Sequence, residues 1–347
     1  MRGSLRLLVI CLIGLNISGN AQEVAPVTLI DKLSVIKAID VANSEVYHTG
    51  FTEKNELFVI LRKNNTKQWT LLKGDLRHPF SPCSNKKYTA GILSREGNRF
   101  ALGCEDFSVE VWDTATGNLF NRFMAKKDER SKDYLIPFIS PDGTKIVVDT
   151  GERAELWDIT SNKKIADLTS EQSNCNCNRS IYSVEFSPDG NLIAIEYGGM
   201  VFLWNADSGR LLNRLIDKAP DFTGYDETDQ ITGVGTVRNM LFSKNSKMLI
   251  TGSGIGITFL WDLETGEQLV SLNNRKEVRS LSFNPDGTKL LSMTGAHAFV
   301  WDKTAGKQLE EMATSEPLTT KVSLNWRYVI RQDKKTKTLN LYQYSGR

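Results

Sequence analysis

The chain has 347 residues, which is enough for two domains of average size or for one large repeat domain. Its hydrophobic (40%) and charged (24%) fractions are ordinary for a soluble globular protein, so the composition does not indicate disorder. Lysine and arginine total 43 against 41 aspartate and glutamate, and loss of Arg2 and Arg6 with an N-terminal leader would balance the two signs. A net charge near zero argues against nucleic acid or an anionic membrane surface as the main partner.

Residues 1–21 have the anatomy of a secretory signal peptide. Two positive charges lie within residues 1–6, residues 7–15 (LLVICLIGL) are apolar, and Gly19 and Ala21 place small residues before a cleavage point at Gln22. The apolar run spans about 14 Å as a helix, which is too short to cross a hydrocarbon core of about 30 Å. We therefore expect an exported chain of residues 22–347, periplasmic or extracellular, that is not inserted in the membrane.

The first predicted strand, at residues 32–39, stands alone, whereas the rest of the chain repeats two sequence elements. One element is a turn between two strands, often with Pro-Asp-Gly: FTEKNELFVI (51–60), ILSREGNRFAL (92–102), FISPDGTKIVV (138–148), FSPDGNLIAI (186–195), FSKNSKMLI (242–250) and FNPDGTKLLS (283–292). The other contains an aromatic strand and a second turn: KQWTLLKGDL (67–76), VEVWDTATGNL (109–119), AELWDITSNKKI (154–165), VFLWNADSGRLL (201–212), TFLWDLETGEQL (258–269), AFVWDKTAGKQL (298–309) and LNLYQYSG (339–346).

Each unit is predicted to form four short strands, A to D. Proline and Asp-Gly favour a tight reversal between strands A and B. The glycine that follows Trp-Asp by four residues ends the reversal between strands C and D and is expected to need a positive φ. Asn162 replaces this glycine in the third unit, and asparagine is the next-best residue for a left-handed backbone.

Seven such units predict a single all-β domain at residues 22–347, a seven-bladed β-propeller of four-stranded blades. One four-stranded sheet cannot bury both of its faces, but sheets stacked around an axis can, with the large tryptophan rings between neighbours. The chain ends just after the seventh strand C, and residues 32–39 resemble a strand D without a unit before it. We expect this N-terminal strand to complete the last blade and close the ring.

The repeats resemble the WD40 family over residues 32–344. The matching positions are Trp69, Trp112, Trp157, Trp204, Trp261 and Trp301, with Tyr342 in the last unit, followed by Asp113, Asp158, Asp262 and Asp302, with Asn205 in the fourth. The resemblance implies a scaffold rather than a particular activity. WD40 repeats often have a Gly-His pair before strand A, whose histidine joins a hydrogen-bonded network with the tryptophan of strand C. This sequence lacks the pair, which puts that network in doubt. Quinoprotein and TolB-like propellers share parts of the turns but differ around the tryptophan.

The connections between units vary in length and carry the candidate binding residues. The longest, residues 217–235, contains aromatic side chains among acidic ones, which indicates an anchor for a basic partner or a solvated surface loop. Two arginines begin strand A in adjacent units and could bind an anion or a partner's carboxylate. The candidate partner-binding residues are Phe222, Tyr225, Asp226, Glu227, Arg238 and Arg279.

Four cysteines remain after loss of the leader, which permits disulfides in an exported chain. Cys83 precedes strand A of the second unit and Cys104 ends its strand B, so an antiparallel pair would bring them together. We predict a Cys83–Cys104 disulfide that contributes about 3 kcal/mol. Cys175 and Cys177 are left either bridged to each other or reduced.

The common catalytic motifs are not found in the sequence, and three scattered histidines do not build a common zinc site, so no cofactor or metal is predicted. The many aspartates and glutamates leave open a metal site made of carboxylates alone. We therefore expect a non-catalytic interaction module for a protein or peptide, monomeric or part of a larger assembly, that binds on the side of the D–A and B–C connections. The alternative is a propeller enzyme, a metal-dependent hydrolase or lactonase or a quinone-dependent oxidoreductase, with its site in the central channel.

Overall fold

The computed structural model describes residues 33–40, 43–52, 54–63, 68–85, 88–126, 135–150, 154–168, 181–197, 200–215, 237–284, 286–294, 297–313, 321–322, 328–333 and 338–344. These residues form 28 strands and one short 3₁₀ turn, Pro82–Asn85. No helix among them is long and apolar enough to cross a membrane.

The strands of the described residues assemble into seven four-stranded sheets, and each sheet uses its strands in the order A-B-C-D. Sheet I contains β2 Ser44–Phe51, β3 Leu57–Lys63, β4 Trp69–Lys73 and β5 Leu76–Phe80. Sheet II contains β6 Tyr88–Leu93, β7 Arg99–Cys104, β8 Ser108–Asp113 and β9 Leu119–Met124. Sheet III contains β10 Ile136–Ile139, β11 Lys145–Asp149, β12 Ala154–Asp158 and β13 Lys163–Asp167. Sheet IV contains β14 Ile181–Phe186, β15 Leu192–Tyr197, β16 Met200–Asn205 and β17 Leu211–Leu215.

The other three sheets follow the same plan. Sheet V contains β18 Val237–Phe242, β19 Met248–Ser253, β20 Ile257–Asp262 and β21 Gln268–Asn273. Sheet VI contains β22 Ser280–Phe283, β23 Lys289–Met293, β24 His297–Asp302 and β25 Gln308–Ala313. Sheet VII contains β26 Lys321–Val322, β27 Tyr328–Asp333, β28 Thr338–Tyr344 and, as its strand D, β1 Leu33–Asp40. The N-terminal strand therefore pairs with the last strand of the chain, as the sequence predicts.

Strand register places the aromatic residue of strand C at one position in six of the seven sheets. Trp112 lies opposite Phe100, the second residue of β7, and Tyr342 lies opposite Val329, the second residue of β27. The corresponding pairs in the other sheets are Ile146 with Trp157, Ile193 with Trp204, Leu249 with Trp261, and Leu290 with Trp301. Tyr342 therefore takes the register position of the tryptophans.

Trp69 is the exception, and its predicted alignment with the other tryptophans is wrong. It lies opposite Arg62, near the far end of strand B, and Lys73 lies opposite Phe58 at the expected position. The reason is the length of the reversal between strands C and D. In sheet I this reversal is the two residues Gly74 and Asp75, so strand C continues beyond Trp69 before it turns.

The described residues divide into two compact units, one of residues 78–278 and one of the residues on either side of that range. Within residues 78–278, three apolar cores lie between successive sheets II and III, III and IV, and IV and V. In sheet II, strands B and C are buried almost throughout, whereas strand D is largely exposed. In the other unit, Ile39 of β1 packs with Leu57, Val59, Leu61 and Leu72 of sheet I.

Tryptophan rings lie between neighbouring sheets of residues 78–278. The ring of Trp112 is 5.2 Å from that of Phe80 at the end of β5, and Trp157 stacks on Phe123 of β9 at 4.7 Å. Both phenylalanines belong to strand D of the preceding sheet. The Trp157–Phe123 pair therefore joins sheet II to sheet III, which agrees with the expected role of the tryptophans.

Candidate functional site

Each sheet has two ends that differ in how its strands are connected. The turn end carries the A–B and C–D reversals, and five residues separate strands A and B in every one of sheets I to VI. The loop end carries the B–C turns and the D–A connections. Between successive sheets from I to VI, the D–A connections contain 6 to 21 residues. Uniform A–B turns and variable D–A connections therefore occupy opposite ends of sheets I to VI.

The carboxylate that follows each tryptophan organises the C–D turn at the turn end. Asp262 Oδ1 accepts backbone N–H groups from Glu264 (3.0 Å) and Thr265 (2.9 Å). The N–H bond from Thr265 is the main cause that holds the pKa of Asp262 below its usual value. Asn205 Oδ1 keeps the same arrangement, with the Ser208 N–H at 2.9 Å. Equivalent bonds are made by Asp113, Asp158 and Asp302.

The glycine of the C–D turn is required by its backbone and by its neighbour. Gly266 has a φ of 73°, and a Cβ atom there would collide with the side chain of Asn213 on strand D of the preceding sheet. Gly209 has the same relation to Ala166 on β13. Asn162 takes the glycine position in sheet III with a φ of 58°, as expected for a residue that tolerates a left-handed backbone.

Buried glutamates accept the indole N–H of two tryptophans. Trp112 Nε1 donates to Glu110 Oε2 at 3.2 Å and Trp157 Nε1 donates to Glu155 Oε2 at 3.1 Å. Neither glutamate is among the residues that the sequence predicts for a site. The available signal was a charged residue two positions before the tryptophan, where the next three units have phenylalanine.

The next three tryptophans lack this glutamate. Trp261 Nε1 donates to Thr251 Oγ1 at 3.1 Å, and Trp301 Nε1 donates to Ser292 Oγ at 2.7 Å, both on strand B. Trp204 Nε1 is buried and has no hydrogen-bond partner among the described residues. The acceptor is therefore on strand C in sheets II and III and on strand B in sheets V and VI, whereas the described part of sheet IV supplies none.

The same two glutamates tether the D–A connections at the loop end. Glu110 Oε2 also accepts the backbone N–H of Cys83 at 2.7 Å. Glu155 Oε2 accepts the N–H of Lys126 at 3.5 Å, and the Lys164 ammonium lies 3.5 Å from its Oε1. Because each carboxylate joins a loop to a strand, the two D–A connections are anchored to their sheets. The glutamates provide this anchor although the sequence lacks the Gly-His pair that often precedes strand A in WD40 repeats.

Cys83 and Cys104, which the sequence pairs, are joined by a disulfide in the structure, with 5.5 Å between their Cα atoms. Both are fully buried, Cys83 in the 3₁₀ turn and Cys104 at the end of β7. Their sulfurs lie within 4.8 Å of a Glu110 oxygen. The disulfide to β7 therefore anchors the connection between sheets I and II a second time, in addition to the hydrogen bond between the Cys83 N–H and Glu110. Cys175 and Cys177 lie outside the described residues.

One carboxyl group on the first strand of sheet IV has a pKa near neutrality. Burial raises the pKa of Glu185 to about 7, and the positive charge of Arg95 offsets part of that effect. Glu185 lies on β14, on the opposite face of the strand from the buried residues Val184 and Phe186.

The predicted partner-binding residues fall into three groups. Arg238 is the second residue of β18; its side chain is 47% exposed, and its Nε lies 3.7 Å from Glu277 Oε1. Arg279 is exposed and directly precedes β22. The four predicted residues of the long connection, which are Phe222, Tyr225, Asp226 and Glu227, lie outside the described residues.

The connection between sheets V and VI is the D–A connection that the structure describes in full. Asn274 is buried; its N–H donates to Gly256 O at 2.7 Å and its Nδ2 to Thr258 Oγ1 at 2.9 Å. At the other end of the segment, Val278 is buried and its N–H donates to Ser253 O at 3.1 Å. Asn274 and Val278 are therefore held in place on either side of the exposed residues Arg275 and Lys276.

Comparison with known proteins agrees with the repeats. The family model for the WD domain, G-beta repeat, matches residues 170–205. The chain is 24% identical over 232 residues to eukaryotic translation initiation factor 3 subunit I of Bombyx mori, which covers 65% of each protein. It is 28% identical over 86 residues to MST50-interacting protein 11 of Pyricularia oryzae and to small ribosomal subunit protein RACK1 of Caenorhabditis elegans. These matches cover 25% of this chain and 27% and 26% of the two relatives. The family model therefore identifies a WD40 repeat at residues 170–205, and the relatives and the recurring Trp-Asp turns are consistent with WD40 repeats along the rest of the chain.

Proposed function

We propose that this protein is a non-catalytic interaction module whose seven sheets form one seven-bladed propeller, closed by β1, and whose loop ends bind a protein partner. The relatives are named as a subunit of an initiation factor, a protein of the small ribosomal subunit and an interacting protein. Their names support a role in assemblies rather than in catalysis.

The observation that carries the proposal is the contrast between the two ends of the sheets. The turn end repeats the same five-residue A–B reversal, whereas each loop end is built differently. A disulfide and Glu110 tether one D–A connection, Glu155 tethers the next, and Asn274 fixes another. A constant scaffold with individually fixed loops is the arrangement by which binding proteins present a specific surface.

Export and the long connection belong to the same proposal. The leader at residues 1–21 would carry the protein to the periplasm or the cell exterior, and the buried disulfide suits such an oxidising compartment. Phe222 and Tyr225, with Asp226 and Glu227, would add an aromatic anchor with an acidic rim to the binding surface. The protein would act as a monomer or as a subunit of a larger assembly.

Cross-linking in living cells, followed by purification from the exported fraction, tests the function. The wild-type chain should retain one reproducible partner in a fixed stoichiometry. Replacement of residues 217–235 by a short Gly-Ser linker should abolish retention, whereas a charge reversal at the turn end, Lys244→Glu/Lys247→Glu, should not. A partner retained by the shortened chain and lost from the turn-end variant would contradict the assignment of the loop end. A crystal structure with the seven sheets in an open arc would contradict ring closure.

A further inference from the structure

The loop end of sheet V carries a rigid surface that is basic and partly apolar. It consists of Ile255 in the B–C turn, Arg275, Lys276 and Glu277 in the D–A connection, and Arg238 at the start of β18, and we call it the sheet V surface. All five residues belong to the compact unit of residues 78–278.

The backbone beneath the sheet V surface is held at several points. Besides the bonds of Asn274 and Val278 already described, the Val278 carbonyl accepts the side-chain N–H of Asn239 at 2.7 Å. Arg275 has a φ of 61°, a conformation that non-glycine residues rarely adopt, and its N–H donates to Asn273 Oδ1 at 2.9 Å. The surroundings therefore enforce an unfavourable backbone at an exposed arginine, which is common where a protein presents a side chain for binding.

The B–C turn and the D–A connection touch through their backbones. A Cβ atom at Gly256 would lie 2.6 Å from the backbone nitrogen of Lys276, so only glycine permits this approach. The neighbouring residue, Ile255, is 48% exposed. A large apolar side chain therefore lies next to the basic segment and remains accessible.

The charges of the sheet V surface are mainly positive. Arg275 and Lys276 are exposed, and the side chains of Arg238 and Glu277 are 47% and 42% exposed. Three cations and one carboxylate give the surface a net charge of about +2 at neutral pH. Such a surface attracts carboxylates, and the apolar side chain beside it favours a segment that carries an apolar residue among its acids.

We propose that the sheet V surface binds an acidic segment of a protein partner that places an apolar side chain against Ile255. This inference rests on the proposed function and names the chemistry of the partner at one part of the loop end. An acidic peptide is favoured over nucleic acid because Glu277 lies within the surface and the chain has no general excess of positive charge.

Methyl NMR of the full-length exported protein tests the proposal directly, since Ile255 supplies its own probe. The ligand is a twelve-residue peptide of aspartate and glutamate with two central leucines, and the comparators are a lysine-rich peptide of the same pattern and a twelve-nucleotide single-stranded DNA. We expect the Ile255 δ1 methyl signal to shift saturably with the acidic peptide and to shift little with the lysine-rich peptide. The affinity should fall at least tenfold between 50 and 300 mM salt.

Two variants and a matched control separate charge from shape. Arg275→Glu/Lys276→Glu should weaken binding of the acidic peptide at least tenfold, and Ile255→Ser should weaken it several-fold. Lys244→Glu/Lys247→Glu makes the same change of charge on two exposed lysines at the turn end of the same sheet and should leave the affinity unchanged. Unchanged binding by Arg275→Glu/Lys276→Glu, or no shift of the Ile255 methyl, would overturn the proposal. Tighter binding of the DNA than of the acidic peptide would also overturn it.

The cellular cross-linking experiment distinguishes this proposal from the proposed function. A partner that wild type retains and Arg275→Glu/Lys276→Glu loses supports both. A partner retained equally by both proteins, but lost when residues 217–235 are shortened, overturns the role of the sheet V surface and leaves the interaction module intact. No retained partner at all contradicts the interaction module itself.

Discussion

Because the Trp204 indole has no hydrogen-bond partner among the described residues, the effect of a new hydroxyl group on strand B is predictable. Ile195 lies opposite Phe202, two residues before Trp204, and it is fully buried. Thr251 occupies the same register position opposite Phe259 in sheet V, and there it accepts the indole N–H. We therefore expect Ile195→Thr to supply the acceptor that sheet IV lacks.

The magnitude follows from a comparison with Ile195→Val, which has the shape of threonine without the hydroxyl. Loss of one methylene should cost either variant about 1 kcal/mol of unfolding free energy. At an ordinary buried site the hydroxyl of threonine costs a further ~1–3 kcal/mol because it is desolvated. Here the hydroxyl would gain a bond and relieve the buried indole donor, an unsatisfied group that costs about 1–3 kcal/mol. Ile195→Thr should therefore be about 1 kcal/mol more stable than Ile195→Val and close to wild type.

Equilibrium urea unfolding, followed by tryptophan fluorescence and by far-ultraviolet circular dichroism, measures the difference. Val147→Thr is the matched control, because Val147 is fully buried on the adjacent strand B and its register partner is Leu156. This control should lose about 1–3 kcal/mol. The ¹⁵N signal of the Trp204 indole should also show slower hydrogen exchange in Ile195→Thr. If Ile195→Thr is less stable than Ile195→Val, the inference that the indole lacks a partner is refuted.

Three further predictions concern the disulfide, a buried acid and a turn glycine. Replacement of Cys83 and Cys104 by serine should lower the unfolding free energy by about 3 kcal/mol in urea titrations, since the bond closes a loop of about 20 residues; an unchanged midpoint would contradict this. The pKa of Glu185 is raised in the folded state, so its contribution to stability is fully present below the unfolded pKa near 4.5 and is lost as pH rises to about 7. The unfolding free energy of Glu185→Gln should therefore decrease less between pH 4.5 and 8 than that of wild type. Parallel plots of unfolding free energy against pH for the two proteins would disprove this. Gly266→Ala should destabilise by about 1 kcal/mol more than Gly190→Ala, because the two glycines have φ values of 73° and 74° but only Gly266 has a side chain against it. Equal losses in thermal melts would show that the contact is unimportant.

Much of the fold could be predicted from the sequence because its signals are local. Asp-Gly and the positive-φ glycines specify where strands reverse, and the period-two pattern of apolar residues marks the strands between them. Residues 32–39 are predicted to be a strand D because no other strands of a unit precede them. The alignment of Trp69 is wrong for a complementary reason: Gly74 begins a reversal of only two residues, and the length of a turn changes the register of the whole strand.

The candidate site was less predictable because its contacts join residues far apart in the chain. The pair Cys83 and Cys104 was within reach, since both flank one hairpin. Glu110 and the backbone N–H of Cys83 are 27 residues apart, and no periodicity indicates that bond. The sheet V surface depends on the close approach of a turn and a loop at Gly256, which the sequence shows only as a glycine.

By itself, then, the sequence determined the strand order within each unit, the conformations of its turns and the tryptophan position in all units but the first. Backbone preference and side-chain alternation act over a few residues, so they can be read without knowledge of neighbours. Only the tertiary structure decided which acceptor each indole finds and which loops are tethered. Those outcomes depend on the side chain that a neighbouring strand or loop places within hydrogen-bond distance, and that distance is set by the packing of the sheets.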